Sequence, residues 1–90
     1  MAEEECREPE LYVDIIRNRL GVVDNLVFTQ HIEPDLEKLG IEVRYDAEKR
    51  SIKMPTKAFR KLSIATIETL SEWEGQGKLY ATIICRKSEL

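Results

Sequence analysis

Six basic residues and no acidic residue lie between Lys49 and Lys61, and this stretch is the first candidate for chemistry. A predicted helix begins at about Thr56, and helix N-termini favour anions rather than cations. Cations gathered there cost stability unless an anion balances them. The predicted anion- or nucleic-acid-binding set is Arg44, Lys49, Arg50, Lys53, Lys57, Arg60 and Lys61. An ordinary solvated basic surface explains the same pattern and is the simpler interpretation.

Other motifs that carry chemistry are incomplete in this sequence. His31 and Glu33 have the His-x-Glu spacing of zinc deaminases, but the Cys-x-x-Cys that accompanies it is absent. The sequence contains no glycine-rich phosphate loop and no nucleophile motif. We therefore expect no catalytic residue, no metal site, no cofactor and no small-molecule substrate, and we do not expect an enzyme.

Surplus apolar residues are the second candidate. On the predicted long helix, Ile64 lies in the middle of the polar side and Ile67 lies at its edge. Tyr80 and Ile84 lie on the second face of the predicted last strand. A three-stranded sheet with one long helix does not cover all four, so they form a predicted interface with a partner protein or a second copy. The first helix is the alternative cover. A short sheet with an exposed edge also suits strand addition.

A β-hairpin at about 41–54 would position the basic stretch. Apolar residues alternate with polar ones on both sides of it, which is typical of half-buried strands. Placing Tyr45 opposite Ile52 and Val43 opposite Met54 brings the apolar side chains onto one face. That register predicts a polar loop over 47–50 and sets Arg44 opposite Lys53, an unfavourable pair of like charges. Pro55 ends the second strand.

A long helix at about 56–74 follows the hairpin. Phe59, Leu62, Thr66, Leu70 and Trp73 recur at helical spacing, with Gly75 as the predicted stop. The segment 63–70 is rich in β-branched residues and could form a strand, but the spacing fits a helix better. A strand at about 78–86 completes the chain. Both its faces are largely apolar, so we expect it to be central or covered on both sides.

The N-terminal half is predicted from its prolines and glycines. Each proline precedes a glycine at helix-length distance, and these pairs predict helices over 9–21, 34–40 and 55–75. Residues 22–33 fit either a helix or a strand, with helix slightly favoured. The charged residues 1–8 are predicted to be a disordered acidic tail. A winged-helix arrangement also fits this order, but its reading helix would be the acidic segment 34–39, which would repel DNA.

The predicted fold class is therefore α+β, with N-terminal helices and a small antiparallel or mixed sheet packed on helices in a single domain over 9–90. The chain has 90 residues and a net charge of −3, with an excess of six acidic groups in residues 1–40 and of four basic groups in residues 41–61. No apolar run approaches the ~18 residues of a membrane span.

The start of the chain lacks the apolar core of a signal peptide, and the two cysteines do not make a disulfide framework. We therefore expect a soluble, intracellular, cytoplasmic protein. The predicted function is a small non-catalytic protein–protein interaction or assembly subunit, with a homodimer as one form. The alternative is a nucleic-acid- or phosphate-binding protein that acts through the basic stretch 49–61.

Overall fold

The computed structural model of the chain describes residues 9–85. Its strands are β1 (Pro9–Ile16), β2 (Val43–Tyr45), β3 (Lys49–Pro55) and β4 (Leu79–Cys85). Its α-helices are α1 (Val22–Val27), α2 (Glu33–Lys38), α3 (Thr56–Phe59) and α4 (Ile64–Gly75). A 3-10 turn (Arg17–Arg19) follows β1, and a π-helical turn (Phe28–Ile32) joins α1 to α2.

The four strands form one antiparallel sheet in the order β2-β3-β1-β4. Helical segments connect β1 to β2 and β3 to β4, while β2 and β3 form a hairpin. This connectivity is the split β-α-β arrangement, which is also called ferredoxin-like. The predicted α+β class and the antiparallel sheet are confirmed. The arrangement alone does not indicate a function, because one fold hosts many activities.

The core lies between one face of the sheet, called here the inner face, and the helices. Alternation places Leu11, Val13 and Ile15 of β1 on this inner face, with exposed fractions of 8%, 3% and 0%. The other buried apolar residues are Leu20, Phe28, Ile32, Leu36, Ile41, Ile52, Met54, Leu62, Leu70, Trp73 and Leu79. The opposite face, called the outer face, carries Glu10, Tyr12 and Asp14 of β1 in the same alternation.

The predicted first helix is wrong, because residues 9–16 form the central strand β1. Leu11 and Ile15 are four residues apart and fit one side of a helix, but Val13 between them is also buried, as alternation requires. Pro9 begins a strand rather than a helix, which is a position that proline tolerates. Gly21 precedes α1 as its N-cap residue rather than ending a helix.

Residues 22–38 are helical throughout, so the helix favoured for 22–33 is confirmed. The predicted short helix after Pro34 is the last part of this longer segment. Proline cannot donate the next helical hydrogen bond and its ring crowds the preceding turn. The chain accommodates Pro34 with the π-helical turn directly before it, in which the Glu33 N–H donates to the carbonyl of Phe28.

The predicted hairpin is present, but its predicted register is wrong by two residues. Val43 lies opposite Ile52 and Tyr45 lies opposite Arg50. The connection is the shorter segment 46–48, in which the Asp46 N–H donates to the Lys49 carbonyl at 2.9 Å. Because the error is an even number of residues, the apolar side chains keep their face. Arg44 now faces Ser51 instead of Lys53, so the predicted pair of like charges does not exist.

The predicted single helix over 56–74 is wrong, because it is divided into α3 and α4. Ser63 interrupts it as the N-cap of α4, where its Oγ accepts from the Thr66 N–H at 3.3 Å and its own N–H donates to Asp35 Oδ2 at 2.8 Å. The segment 63–70 is nevertheless helical rather than a strand. The chain leaves α4 through Gly77, whose φ of 77° is left-handed, so the predicted stop at Gly75 is two residues early.

The predicted last strand is confirmed as β4, but the expectation that it is central or covered on both faces is wrong. It lies at an edge of the sheet, and each of its residues from Tyr80 to Cys85 is exposed. Cys85 is disulfide-bonded, which the sequence did not indicate. Cys6 and the predicted acidic tail over 1–8 lie outside the described residues. Between residues 9 and 85, no helix combines the length and apolarity that a membrane crossing requires. The cytoplasmic location stays a prediction.

Candidate functional site

The free edge of β4 is the most unusual surface of the fold. Ile83, Tyr80 and Ile84 are 61%, 53% and 47% exposed, and their side chains alternate between the two faces of the sheet. Residues 79–85 contain no charge and no proline. Sheet edges are usually protected by charged residues, prolines, bulges or short strands, because unpaired backbone groups invite another strand. Over its seven residues, β4 has none of these protections.

The backbone N–H and carbonyl groups of β4 point alternately toward β1 and away from the sheet. The Ile16 N–H donates to the Lys78 carbonyl at 2.9 Å, and these two residues lie opposite each other in the extended register of β1 and β4. Hydrogen-bonded pairs alternate along an antiparallel ladder. Residues 80, 82 and 84 therefore direct their N–H and carbonyl groups to β1. The corresponding groups of Leu79, Ala81 and Ile83 point away from the sheet.

The opposite edge of the sheet differs from β4. β2 has only three residues, and Arg44 lies at its centre. The Tyr45 hydroxyl donates to a carboxylate oxygen of Glu33, which ties this strand to the helix that covers it. A short, charged and tethered strand is poorly suited to pair with another chain. The two edges of one sheet thus have opposite characters.

An apolar groove of about 430 Å³ runs beside β4 on the inner face. Ala81 and Ile83 form its floor together with Leu11, while Phe59 and Leu70 form its helical walls. Arg60 and Glu74 stand among its polar lining residues. The groove exists because the helices cover the first residue of β4, the buried Leu79, but leave Ala81 and Ile83 exposed.

The predicted interface residues do not form one patch. Tyr80 and Ile84 share the outer face of β4, as their spacing requires. Ile64 is 73% exposed at the start of α4, in the helix layer on the opposite side of the sheet. Ile67 is only half-buried and packs against the core.

The sequence prediction missed Ile83, because it assigned that residue to a covered face. It also missed an exposed apolar group at the start of α1, which consists of Val22, Val23 and Leu26. Helical periodicity could not have found this group, since the assignment of residues 22–33 was still open.

The predicted basic set is divided among three places. Arg44, Lys49 and Lys53 lie on the outer face of the hairpin strands. Lys57, Arg60 and Lys61 lie in or just after α3. Arg50 is buried on the inner face, with 8% of its surface exposed. The structure therefore does not bring all seven predicted residues onto one surface, and anion binding by any of them stays a prediction.

The buried Arg50 side chain is surrounded by aromatic rings. Its guanidinium carbon lies 4.6 Å from the Phe28 ring centre and 5.9 Å from that of Tyr45. Its Nε and Nη1 atoms are buried without a hydrogen-bond partner among the described residues. Burial, together with the hydrogen bond to Glu33, raises the pKa of Tyr45 to about 12. The Tyr45 hydroxyl therefore stays protonated and continues to donate its hydrogen bond to Glu33.

The outer face of the sheet carries two tyrosines with cations beside them. Lys53 Nζ lies 5.8 Å from the Tyr12 ring centre, and the Arg19 guanidinium carbon lies 5.9 Å from that of Tyr80. Arg19 Nη1 also donates to the Tyr80 hydroxyl at 3.0 Å. A second open groove, of about 650 Å³, borders this face.

Residues 9–85 contain no group of three or more His, Cys, Asp or Glu side chains arranged to hold a metal ion. His31 is exposed. The expectation that the protein is not an enzyme stays a prediction. Over the part of the chain that the structure describes, the fold is a small α+β domain in which one sheet edge has no protection. Comparisons with protein-family models, with curated proteins and with solved structures find no match to this chain.

Proposed function

We propose that the protein is a non-catalytic assembly module that pairs with a second copy of itself through β4. The observation that carries the proposal is the edge formed by residues 79–85, which is uncharged, unbroken and largely apolar on both faces. Two such edges joined in antiparallel orientation make a continuous eight-stranded sheet. Strand pairing satisfies the outward backbone groups, and the exposed side chains leave water together.

A symmetric pairing centred on Thr82 suits this sequence. It places Ala81 opposite Ile83 of the second copy, and both residues have outward backbone groups, so these positions form hydrogen-bonded pairs. It also places Tyr80 opposite Ile84, an aromatic–β-branched pair that stabilises sheets. A two-fold axis brings like residues close together, so a charge near it would oppose its own copy. Residues 79–85 avoid that cost.

The apolar groove supports the same partner. Ala81 has a small side chain in the groove floor, and Ile83 projects on the same face of β4. In the symmetric pairing, Ile83 of one copy lies beside Ala81 of the other. The large side chain then covers the space that the small one leaves open. Fully burying an exposed isoleucine side chain is worth about 1.5–3 kcal/mol. Ile83 is 61% exposed, so pairing gains part of that amount, once in each copy.

Proline substitution tests the pairing without changing side-chain charge. Ala81→Pro removes an outward N–H, whereas Thr82→Pro removes an N–H that bonds to β1. We expect the wild type to sediment at twice the monomer mass of 10.5 kDa and the Ala81→Pro variant to be a folded monomer. Thr82→Pro should lose stability instead. Circular dichroism measures folding, and sedimentation equilibrium measures mass.

Two lysine variants test whether the dimer interface is formed by β4 or by an exposed apolar residue elsewhere. Ile84→Lys places a charge on the pairing strand, while Ile64→Lys changes an equally apolar residue on α4. Only Ile84→Lys should yield monomers. A wild type that is monomeric at every concentration, or an Ala81→Pro variant that remains dimeric, would contradict the proposal. Loss of the dimer in Ile64→Lys alone would move the interface to α4.

A further inference from the structure

The outer face of the sheet presents two tyrosine rings as neighbours. Tyr12 lies opposite Thr82, and Tyr80 lies opposite Asp14, so the tyrosines are diagonal neighbours on the adjacent strands β1 and β4. Diagonal side chains on one face are separated by about 7 Å, which an extended single strand of nucleic acid can span between successive bases. Among the described residues, no helix packs on this face.

Cations accompany both rings. Lys53 stands beside Tyr12, and Arg19 stands beside Tyr80. Arg44 lies on the same face of the edge strand β2, which pairs with the strand of Lys53. Aromatic rings with nearby Lys or Arg groups are the combination that binds single strands, because bases stack on the rings while the cations meet phosphates. The bases of a duplex are stacked on each other and are not available to such rings.

The second groove described above opens onto this outer face. It measures about 650 Å³, and Tyr12, Arg44, Ser51 and Lys53 are among its lining residues. It lies where β2 is shorter than β3, so the outer face meets the segment before Val43 instead of a paired strand. A ring wall and two cations are groups that a nucleotide needs for its base and phosphate, while the Ser51 hydroxyl already donates to Asp14 Oδ1 at 2.9 Å.

We infer that this outer face binds single-stranded nucleic acid, with bases stacked on Tyr12 and Tyr80 and phosphates near Lys53, Arg44 and Arg19. The inference goes beyond the proposed assembly function and does not depend on it, because Tyr12 lies on the central strand. It also relocates the nucleic-acid site predicted from the sequence. Arg44 and Lys53 stay in the site, the buried Arg50 leaves it, and Lys57 and Lys61 lie elsewhere.

Three carboxylates compete with a phosphate here, because Asp14 and Glu42 line the groove and Glu10 lies beside Lys53. Glu10 Oε1 lies 3.9 Å from Lys53 Nζ, and Asp14 Oδ2 lies 3.7 Å from Lys49 Nζ. A phosphate must compete with these carboxylates for the lysines, so binding should be modest and should weaken steeply with salt. Removing a carboxylate should therefore strengthen binding. A substitution that only disturbs the structure of this face would weaken binding instead.

The test measures fluorescence anisotropy of a short labelled oligouridylate, titrated with the full chain at low salt. Tyr12→Ala should weaken binding about tenfold, because one stacked base is lost, and Tyr12→Phe should bind like the wild type. Lys53→Ala should weaken binding, and Glu10→Gln should tighten it several-fold. Lys57→Ala, a cation away from this face, is the matched control and should bind unchanged.

Three results would overturn the inference: no binding at low salt, equal binding by the Tyr12→Ala variant, or equally tight binding of uridine monophosphate alone. The Ala81→Pro variant keeps the inference separate from the assembly proposal. It lacks the β4 pairing but retains Tyr12, Arg44 and Lys53. It should therefore still bind the oligonucleotide, with the Tyr12→Ala effect preserved in that background.

Discussion

Arg50 carries a permanent positive charge into the core, where its Nε and Nη1 atoms find no acceptor within residues 9–85. Contacts with the Phe28 and Tyr45 rings offset part of the desolvation cost, since cation–π contacts are worth about 0.5–2 kcal/mol. Buried charges are nonetheless often less stabilising than apolar side chains of similar size. The aromatic surroundings explain how Arg50 is tolerated, not why the position is basic.

Replacing Arg50 with methionine should therefore raise the free energy of unfolding, by about 1 kcal/mol. Methionine fills a similar volume and needs no hydrogen bond. Arg50→Ala should lower it by about 2 kcal/mol or more, because a cavity replaces the side chain. Urea denaturation measures both, with the exposed Arg44→Met as the control that should change little. A clear loss of stability in Arg50→Met would mean that the guanidinium has an acceptor that stabilises the fold.

Asp24 links the start of α1 to the strand end opposite it. Its Oδ2 accepts from Lys78 Nζ at 2.8 Å, and this hydrogen bond is the main reason that the pKa of Asp24 is lowered. A lowered pKa in the folded state contributes stability above the ordinary carboxyl range, where the group is ionised in both states. That contribution is lost as the pH falls through the folded-state pKa.

The Asp24→Asn variant should therefore be less stable than the wild type near neutral pH, and the difference should shrink below about pH 4. Urea midpoints measured across this range give the comparison. Glu68→Gln, on the exposed side of α4, is the control and should follow the wild type. If the difference in stability between the two proteins is constant with pH, the charge of the Asp24 carboxylate does not contribute to stability.

At the scale of elements, Ser63 decides where the second helical segment starts. Its hydroxyl accepts from the Thr66 N–H, and its backbone N–H is held by Asp35, whose pKa is lowered chiefly by that hydrogen bond. Ser63→Ala should reduce the free energy of unfolding by about 1 kcal/mol, as the loss of a helix cap does. The exposed Ser71→Ala within α4 is the control and should be neutral or slightly stabilising. Thermal unfolding measures both, and equal effects would exclude a capping role for Ser63.

Periodicity predicted the elements whose burial follows from local pattern. The hairpin, the helical nature of residues 63–70 and the last strand are of this kind. It failed for β1, where Leu11 and Ile15 fit a helix and a strand equally well. Only pairing with β3 and β4, which are distant in sequence, decides between the two. The register of the hairpin likewise depends on Arg50 entering the core opposite Tyr45, which no propensity indicates.

The sequence identified some residues of the candidate site but did not predict where they lie in the fold. Tyr80 and Ile84 were identified as surplus apolar residues, and they lie on the free edge. Ile83 was missed because a strand that is apolar on both faces is typical of a covered strand. The residues that the structure describes leave β4 uncovered within one copy, so this pattern is also that of a strand with a neighbour in another copy. The basic set was divided because alternation along β3 sends Arg50 inward and Lys49 and Lys53 outward.

At the scale of the whole molecule, the antiparallel sheet formed by residues 9–85 has one protected edge, one edge without protection from these residues and an outer face that they leave open. A 90-residue chain buries only about 60–65% of its unfolded surface, so its own core is modest. Pairing through β4 adds buried surface without lengthening the chain. The stability of such a protein then depends on its concentration, because dissociation accompanies unfolding.

We therefore expect the melting temperature of the wild type to rise by about 5 °C over a hundredfold increase in protein concentration. The melting temperature of the Ala81→Pro variant should stay constant, since that variant lacks the Ala81 N–H at the centre of the pairing edge and a proline ring stands in its place. Differential scanning fluorimetry at matched buffer conditions measures both proteins. If the wild-type melting temperature is independent of concentration, the β4 edge is not a stabilising interface. If both proteins show the same rise, the chains associate through another surface, for which the exposed Val22, Val23 and Leu26 of α1 are the first to substitute.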